Sequence, residues 1–103
     1  YGLPELFEEQ LQGKDLIANP GCYPTSAILP LSPIIKEGLI EVDSILVDSK
    51  SGVSGAGRTP KLTNLYAEVN ESVSAYSVRS HRHQPEIVNI IQRYTGVKPN
   101  VIF

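Results

Sequence analysis

Asn19-Pro20-Gly21-Cys22-Tyr23-Pro24-Thr25 decides the fold of this chain, because it places a sharp Asn-Pro-Gly turn between an apolar segment and a helical pattern. The segment before it, residues 15–18, is short and apolar and predicts a buried strand. Residues 25–36 place apolar side chains at helical spacing and predict an amphipathic helix. The sequence therefore predicts a strand, a tight turn and a helix, with Cys22 just beyond the turn.

Proline and glycine punctuate the predicted 25–36 helix. Pro30 and Pro33 each lack an amide donor, so we expect them to kink or split the helix. Gly38 follows the last apolar positions and predicts where the helix ends.

The rest of the chain reads as short helices and strands, without internal repeats or a low-complexity stretch. Residues 3–12 have a proline near the start and a glycine after the end, which is typical of a short helix. Glu86 lies in the first turn of another predicted helix, 85–94, where the helix dipole favours an anion, and Gly96 follows its end. Further strands are predicted at 44–49, 72–78 and 101–103. One α+β domain is the simplest arrangement.

Composition narrows the class of protein. The 103 residues are 41% hydrophobic and 19% charged, which is ordinary for a soluble globular domain and includes no apolar run that could span a membrane. Nine basic and eleven acidic residues are scattered along the chain, so we expect no nucleic-acid partner. A lone cysteine and the lack of a signal-peptide pattern favour a cytoplasmic setting. The first residue, Tyr1, and the β-rich last segment lead us to expect a piece of a longer protein.

Cys22 is the first candidate for chemistry. A thiolate at a helix N-terminus is stabilised by the positive end of the helix dipole and by unpaired amides, so a cysteine at this turn suits a nucleophile. The alternative is that Cys22 is a small buried hydrophobe, as free cysteines usually are. The residues alone leave both interpretations open.

His81 and His83 precede the predicted 85–94 helix. If folding brings either histidine beside Cys22, its imidazole can stabilise the thiolate and act as a general acid or base near neutral pH. Both can equally be solvated loop side chains. A zinc site of Cys22, His81 and His83 is a third interpretation, although the spacing lacks the ligand pairs that are typical of zinc sites.

The loop Ser51-Gly52-Val53-Ser54-Gly55-Ala56-Gly57-Arg58 is a second candidate site. Its amides, hydroxyls and guanidinium suit an anionic group such as a phosphate or carboxylate, and we expect it to lie beside Cys22. It has neither the ending of a Walker loop nor the G-x-G-x-x-G spacing of a dinucleotide fingerprint. The loop can also be a turn-rich connection, with Arg58 and Lys61 as solvated surface charges.

Three motifs, in this order, resemble those of the N-acetyl-gamma-glutamyl-phosphate reductase family of arginine biosynthesis. They are residues 17–25 (IANPGCYPT), 51–58 (SGVSGAGR) and 81–87 (HRHQPEI). The resemblance runs over essentially the whole chain, and the cysteine motif is its most specific part. It implies reduction of N-acetylglutamyl 5-phosphate to the semialdehyde through a cysteine thioester, with NADP as the cofactor and a homo-oligomer as the assembly.

The resemblance also implies an α+β catalytic domain similar to the C-terminal domain of glyceraldehyde-3-phosphate dehydrogenase. Residues 1–103 are then expected to be a fragment of this catalytic and dimerisation domain. No G-x-G-x-x-G occurs in the chain, so most of the Rossmann domain that binds NADP is expected to lie outside it. We expect the isolated fragment to be inactive.

The family's functional residues can be carried onto this sequence. The nucleophile is Cys22, and the acid or base lies in the His-x-His segment, where we prefer His83 because the following helix fixes its backbone. Because the implied substrate carries a carboxylate and a phosphate, we expect Arg58, Lys61 and Arg82 to bind its anionic groups. We also expect Asn19 and His81 to contact the substrate, and Ser54 and Gly55 to contact the cofactor. No metal is expected.

Two other functions remain open. The chain can be a dimerisation module that is silent in isolation. It can also be a cysteine hydrolase, although no recognisable Asp or Asn is present to orient the histidine.

Overall fold

The computed structural model describes residues 1–103. Four α-helices and two short strands follow in chain order: α1 Pro4–Leu11, α2 Cys22–Lys36, β1 Ile45–Leu46, α3 Tyr66–Val69, α4 His83–Thr95 and β2 Val101–Ile102. Two 3-10 turns, Val53–Ala56 and Leu62–Asn64, lie between β1 and α3. None of the helices is both long and apolar enough to cross a bilayer.

The core lies where α2 packs against α4. Ile28 of α2 and both Ile87 and Ile91 of α4 are completely buried. The last two are four residues apart and therefore lie on one face of α4. Phe7 of α1 belongs to the same apolar cluster. Because each fully buried isoleucine contributes about 1.5–3 kcal/mol, this packing fixes α2 and α4 firmly against each other.

The two strands form a parallel pair beside this core. Ile45 lies opposite Val101 and Leu46 opposite Ile102. Ile45 and Val101 are buried in the apolar cluster, whereas Leu46 points outward, as the alternation of side chains along a strand requires. The strands predicted at 44–49 and 101–103 are confirmed in these shorter forms.

All three predicted helices are present, with shifted ends. α2 begins at Cys22 and α4 at His83, each a few residues earlier than predicted. Gly96 follows α4 with a left-handed φ of +79°, a conformation that glycine adopts without strain, and it ends the helix as expected.

Pro30 and Pro33 do not split α2, so this part of the prediction is wrong. The helix runs through both residues without interruption. Both prolines are exposed, while Ile28 and Ile35 are buried on the face that packs against the core. Packing of the buried face outweighs the two missing amide bonds, because tertiary packing supplies most of the stability of a helix in a protein.

Residues 15–18 and 72–78 are not strands, contrary to the prediction. A strand needs a neighbour to satisfy its backbone, and the one backbone hydrogen bond to 15–18 is from the amide of Gly2 to the carbonyl of Ala18, at 2.8 Å. In 72–78 the alternation is interrupted at Ser77, whose φ is +49°. Apolar patterning without a sheet edge to join therefore leaves both segments irregular.

Candidate active site

Cys22 is the first residue of α2 and is exposed. Within these residues Cys22 is therefore not a buried hydrophobe. Gly21 caps the helix in an extended conformation, and its carbonyl accepts hydrogen bonds from the amide and the hydroxyl of Thr25, at 3.0 and 2.8 Å. The thiol therefore lies at the helix N-terminus, where the amides of the first turn and the helix dipole favour a negative charge.

His83 is the first residue of α4, and its ring rests directly on Gly21. A Cβ added to Gly21 would lie 2.7 Å from Nε2 of His83 and 3.0 Å from Cδ of Pro24. Only glycine leaves room for this approach. Folding therefore brings His83 next to the residue that precedes Cys22, although no hydrogen bond joins the thiol and the imidazole.

An aromatic cluster holds both histidines. The buried ring of Tyr23 lies edge to face with His81 at 5.6 Å and with His83 at 5.9 Å, measured between ring centroids. The two imidazoles are 4.7 Å apart, and the backbone amide of His83 donates to Nδ1 of His81 at 3.1 Å. Phe103 packs against Tyr23 and His81 from the other side. The histidines are thus oriented by packing and are not solvated loop side chains.

The surroundings of His81 keep it neutral. Burial lowers the pKa of His81 below its ordinary value, and the nearby charges of His83 and Arg82 lower it further. The hydroxyl of Tyr76 donates to that of Tyr23 at 3.1 Å. Although the side chain is 59% exposed, partial desolvation of its hydroxyl, followed by this hydrogen bond, raises the pKa of Tyr76 to about 12.

Glu86 links the two helix N-termini, a role that the sequence analysis missed. Its Oε1 accepts hydrogen bonds from the Gly21 amide at 3.2 Å and from the Tyr1 hydroxyl at 2.6 Å. The sequence analysis considered this residue only in relation to the dipole of its own helix. Its spacing of three from His83, which puts both side chains on one helix face, was the available signal.

The predicted anion-binding and cofactor-binding residues are placed unevenly. Arg82 caps α4 beside the site, and its charge acts on both His81 and Tyr76. Asn19 is exposed at the start of the cysteine turn. Residues 51–58, which include the predicted binding residues Ser54, Gly55 and Arg58, are entirely exposed, and their hydrogen bonds stay within the loop. The expectation that this loop lies beside Cys22 remains a prediction.

These residues form no metal-ligand cluster, and the glycine loop is closely packed at one point. No three His, Cys, Asp or Glu side chains form a group that could hold a metal ion, so the zinc interpretation has no support. In the glycine loop, a Cβ on Gly55 would lie 2.8 Å from Oγ of Ser51. Gly55 and Ser51 are therefore in close contact within the loop.

The fold and the cysteine turn define a class of protein. Residues 22–103 match the family described as semialdehyde dehydrogenase, dimerisation domain, and the chain belongs to this family. Because this match covers most of the chain, a mixed helix and sheet domain of this class is established.

Individual relatives carry a more particular name. The chain is 60% identical over 103 residues to the N-acetyl-gamma-glutamyl-phosphate reductase of Rhodopirellula baltica. The matched residues are 100% of the chain and 30% of that relative. It is 51% identical over 102 residues to the Heliobacterium modesticaldum enzyme of the same name. This match covers 99% of the chain and 29% of that relative. The resemblance drawn from the motifs is therefore confirmed. The chain spans about 30% of the length of these curated relatives.

Proposed function

We propose that this chain is the segment of an N-acetyl-gamma-glutamyl-phosphate reductase that carries the nucleophile and the acid or base, with a role in arginine biosynthesis. The observation that carries the proposal is the meeting of two helix N-termini, where Cys22 opens α2 and the ring of His83, which opens α4, rests on Gly21. The names of the relatives support this particular substrate.

Cys22 performs the first step. Its sulfur attacks the acyl carbon of N-acetylglutamyl 5-phosphate, a C–S bond forms, and the C–O bond to phosphate breaks with its electron pair leaving on the phosphate. The resulting thioester is more reactive toward reduction than a carboxylate. Its position at the N-terminus of α2 stabilises the attacking thiolate, which is the physical reason for a cysteine at this turn.

His83 manages protons at the sulfur and at the substrate oxygen. Its ring is close to the cysteine turn, while His81 is kept neutral and accepts a hydrogen bond from the His83 backbone. This arrangement favours His83 as the acid or base and leaves His81, with Arg82, for contacts to the substrate. NADPH supplies the hydride when it is bound, and the rest of that site belongs to parts of the protein outside these residues.

The wider architecture follows from the same proposal. The chain is part of an α+β catalytic domain similar to the C-terminal domain of glyceraldehyde-3-phosphate dehydrogenase, in a cytoplasmic homo-oligomer. Ser54 and Gly55 then contact the cofactor and Arg58 a substrate anion, once the rest of the protein or the substrate orders the glycine loop around them. Asn19 lies next to the turn and faces the same substrate.

A phosphate-release assay on the complete protein tests the proposal. Without NADPH, mixing the protein with N-acetylglutamyl phosphate should release about one phosphate for each Cys22 and then stall at the thioester. The Cys22→Ser variant should show no such burst. Continuous release of phosphate and acid without a nicotinamide would identify a cysteine hydrolase instead.

The structure already weakens the hydrolase interpretation. In a Cys-His hydrolase, a third side chain orients the histidine through its free nitrogen. The Nδ1 atom of His83 is buried without a hydrogen-bond partner. No Asp or Asn therefore supports the imidazole as that chemistry requires.

A dimerisation role is compatible with the reductase, and the exposed apolar side chains between β1 and α4 favour it. They are Val53, Leu62, Leu65, Tyr66, Val73, Tyr76 and Val78. Sedimentation of the complete protein at several concentrations measures this assembly independently of the activity.

A further inference from the structure

We propose that Glu86 is a positioning residue that holds Cys22 beside His83, a role that rests on the proposed function. A single carboxylate oxygen accepts both the Gly21 amide and the Tyr1 hydroxyl. Gly21 immediately precedes Cys22, so this carboxylate fixes the backbone of the turn from which the thiol projects.

The same turn is held from a second direction by the same helix. His83 and Glu86 lie three residues apart in the first turn of α4 and project from one face. The ring of His83 packs against Cα of Gly21, while the carboxylate binds its amide. Moving the Pro20–Gly21 peptide away from α4 must break this hydrogen bond, and moving Gly21 itself must lose the ring contact. Glu86 thereby sets the distance between the two groups that react.

Tyr1 supplies a further anchor. The Tyr1 ring packs edge to face on the Phe7 ring of α1, with 6.4 Å between the centroids, and this packing fixes the position of the hydroxyl. Burial and the neighbouring Glu86 carboxylate raise the pKa of Tyr1 above its ordinary value, so the hydroxyl remains a donor. The carboxylate is thus held by two donors from separate parts of the chain, and its position does not depend on α4 alone.

A simple helix-dipole role predicts different behaviour. Glu5 occupies the equivalent first turn of α1, is exposed, and makes no side-chain hydrogen bond. If Glu86 acted only through its charge, the two glutamates would be equivalent and a shorter carboxylate would suffice. Positioning instead requires the length of the side chain and an acceptor oxygen, and does not require the charge.

Three variants of Glu86 in the complete protein separate these roles. Glu86→Gln keeps the length and an acceptor, Glu86→Asp keeps the charge but shortens the side chain, and Glu86→Ala removes both. Glu5→Ala is the matched control. The measurements are kcat and KM for reduction of N-acetylglutamyl phosphate, and the rate at which iodoacetamide alkylates Cys22 at pH 7.

Positioning predicts that Asp and Ala lower kcat by about 10- to 100-fold with KM changed less than about threefold, since small misplacements of reacting groups have effects of this size. Gln should stay within about threefold of the wild type, and Glu5→Ala should match it. Equal losses in Gln and Ala would overturn the proposal in favour of charge, and near-normal kcat in Asp and Ala would overturn it outright. If Ala does not fold, the comparison of Gln with Asp decides.

Alkylation of Cys22 keeps this test separate from the proposed activity. If the wild-type protein reduces no acyl phosphate, the proposed function fails, and the thiol still reports on the turn. Asp and Ala should then alkylate severalfold more slowly than Gln, the wild type and Glu5→Ala, because the thiol leaves the favourable helix N-terminus. Equal rates in all five proteins would show that Glu86 does not position Cys22.

Discussion

Two regions of the molecule differ in how they are packed. The first is the helix pair, α2 and α4, and the second is the open segment, residues 50–80. In the helix pair Ile28, Ile87 and Ile91 are 0% exposed. In the open segment every residue except Asn64 and Val69 is exposed. Apolar side chains such as Ile87 and Ile91 are therefore packed in the helix pair, whereas Leu62 and Val73 are exposed in the open segment.

This contrast determines which functional residues the chain itself places. Cys22 and His83 are the first residues of the two packed helices, so burial elsewhere on those helices fixes them. Arg58 and Ser54 lie in the open segment, where nothing of comparable strength holds them. Packing within these residues therefore holds the helices that carry Cys22 and His83, whereas few contacts within the chain hold the open segment.

Replacing each histidine by alanine tests the chemical part of this comparison. We expect this experiment to show the largest effect. In the complete protein, His83→Ala should lower kcat by about 10² to 10⁴, the usual contribution of a positioned acid or base, with a smaller change in KM. His81→Ala should have a smaller effect, because burial lowers the pKa of His81 and its Nδ1 atom accepts a hydrogen bond from the backbone amide of His83. Steady-state rates decide, with inactive Cys22→Ser as the reference. A larger loss in the His81 variant reverses the assignment.

Truncation of apolar side chains tests the packing half. Ile91→Ala, in the core of the helix pair, should lower the free energy of unfolding by about 2–5 kcal/mol. Val73→Ala, where the side chain is 89% exposed, should change it by less than about 0.5 kcal/mol. Urea unfolding of the 103-residue chain, followed by circular dichroism, measures both. A comparable loss at Val73 would mean that the open segment is packed in solution.

The same contrast explains what the sequence could predict. Helical spacing and the glycine at the end of α4 are local signals, and the elements they predicted are present, whereas residues 19–21 do not form the tight turn that Asn-Pro-Gly predicted. The strands at 15–18 and 72–78 were wrong, because a strand depends on a neighbour that local alternation cannot reveal. Likewise, the hydrogen bond from Gly21 to Glu86 joins residues 65 positions apart, and no local pattern encodes it.

The prolines inside α2 show an error of the opposite kind, in which a local signal predicted a disruption that the folded chain does not contain. The local rule predicted a break at Pro30 and Pro33, yet packing on α4 carries the helix through both. At the site, the resemblance of the motifs to the reductase family predicted Cys22 and His83 as the reacting groups, and this assignment stays a prediction. Their arrangement around Gly21 required the tertiary fold, because it arises from the crossing of two helices that are distant in sequence.

Two glycines with the same backbone conformation sharpen the comparison further. Gly21 and Gly52 have φ and ψ of −66° and 160°, and −68° and 159°, so alanine is free of backbone strain at both. A methyl at Gly21 would press on the His83 ring, whereas at Gly52 its nearest neighbour is Oγ of Ser54, 3.9 Å away. Gly21→Ala should lower kcat about tenfold or more by displacing the ring, and Gly52→Ala should have little effect on stability. Equal kcat for Gly21→Ala and the wild type would mean that the ring moves aside without consequence.

Lowering the pH should have the smallest effect, a decrease in the free energy of unfolding. It tests the contact between the helix pair and the open segment, where His81 packs against both Tyr23 and Tyr76. The pKa of His81 is lowered in the fold, chiefly by burial, so the unfolded chain binds a proton more readily than the native chain. Stability from this residue is therefore present above the unfolded pKa of about 6.5 and is lost as the pH falls through the lower folded value. Urea unfolding at pH 7.5 and pH 5.5 should show this loss. His81→Asn, whose Oδ1 can replace Nδ1 as the acceptor for the His83 amide, should reduce the loss; an unchanged difference would place the pH dependence elsewhere in the chain.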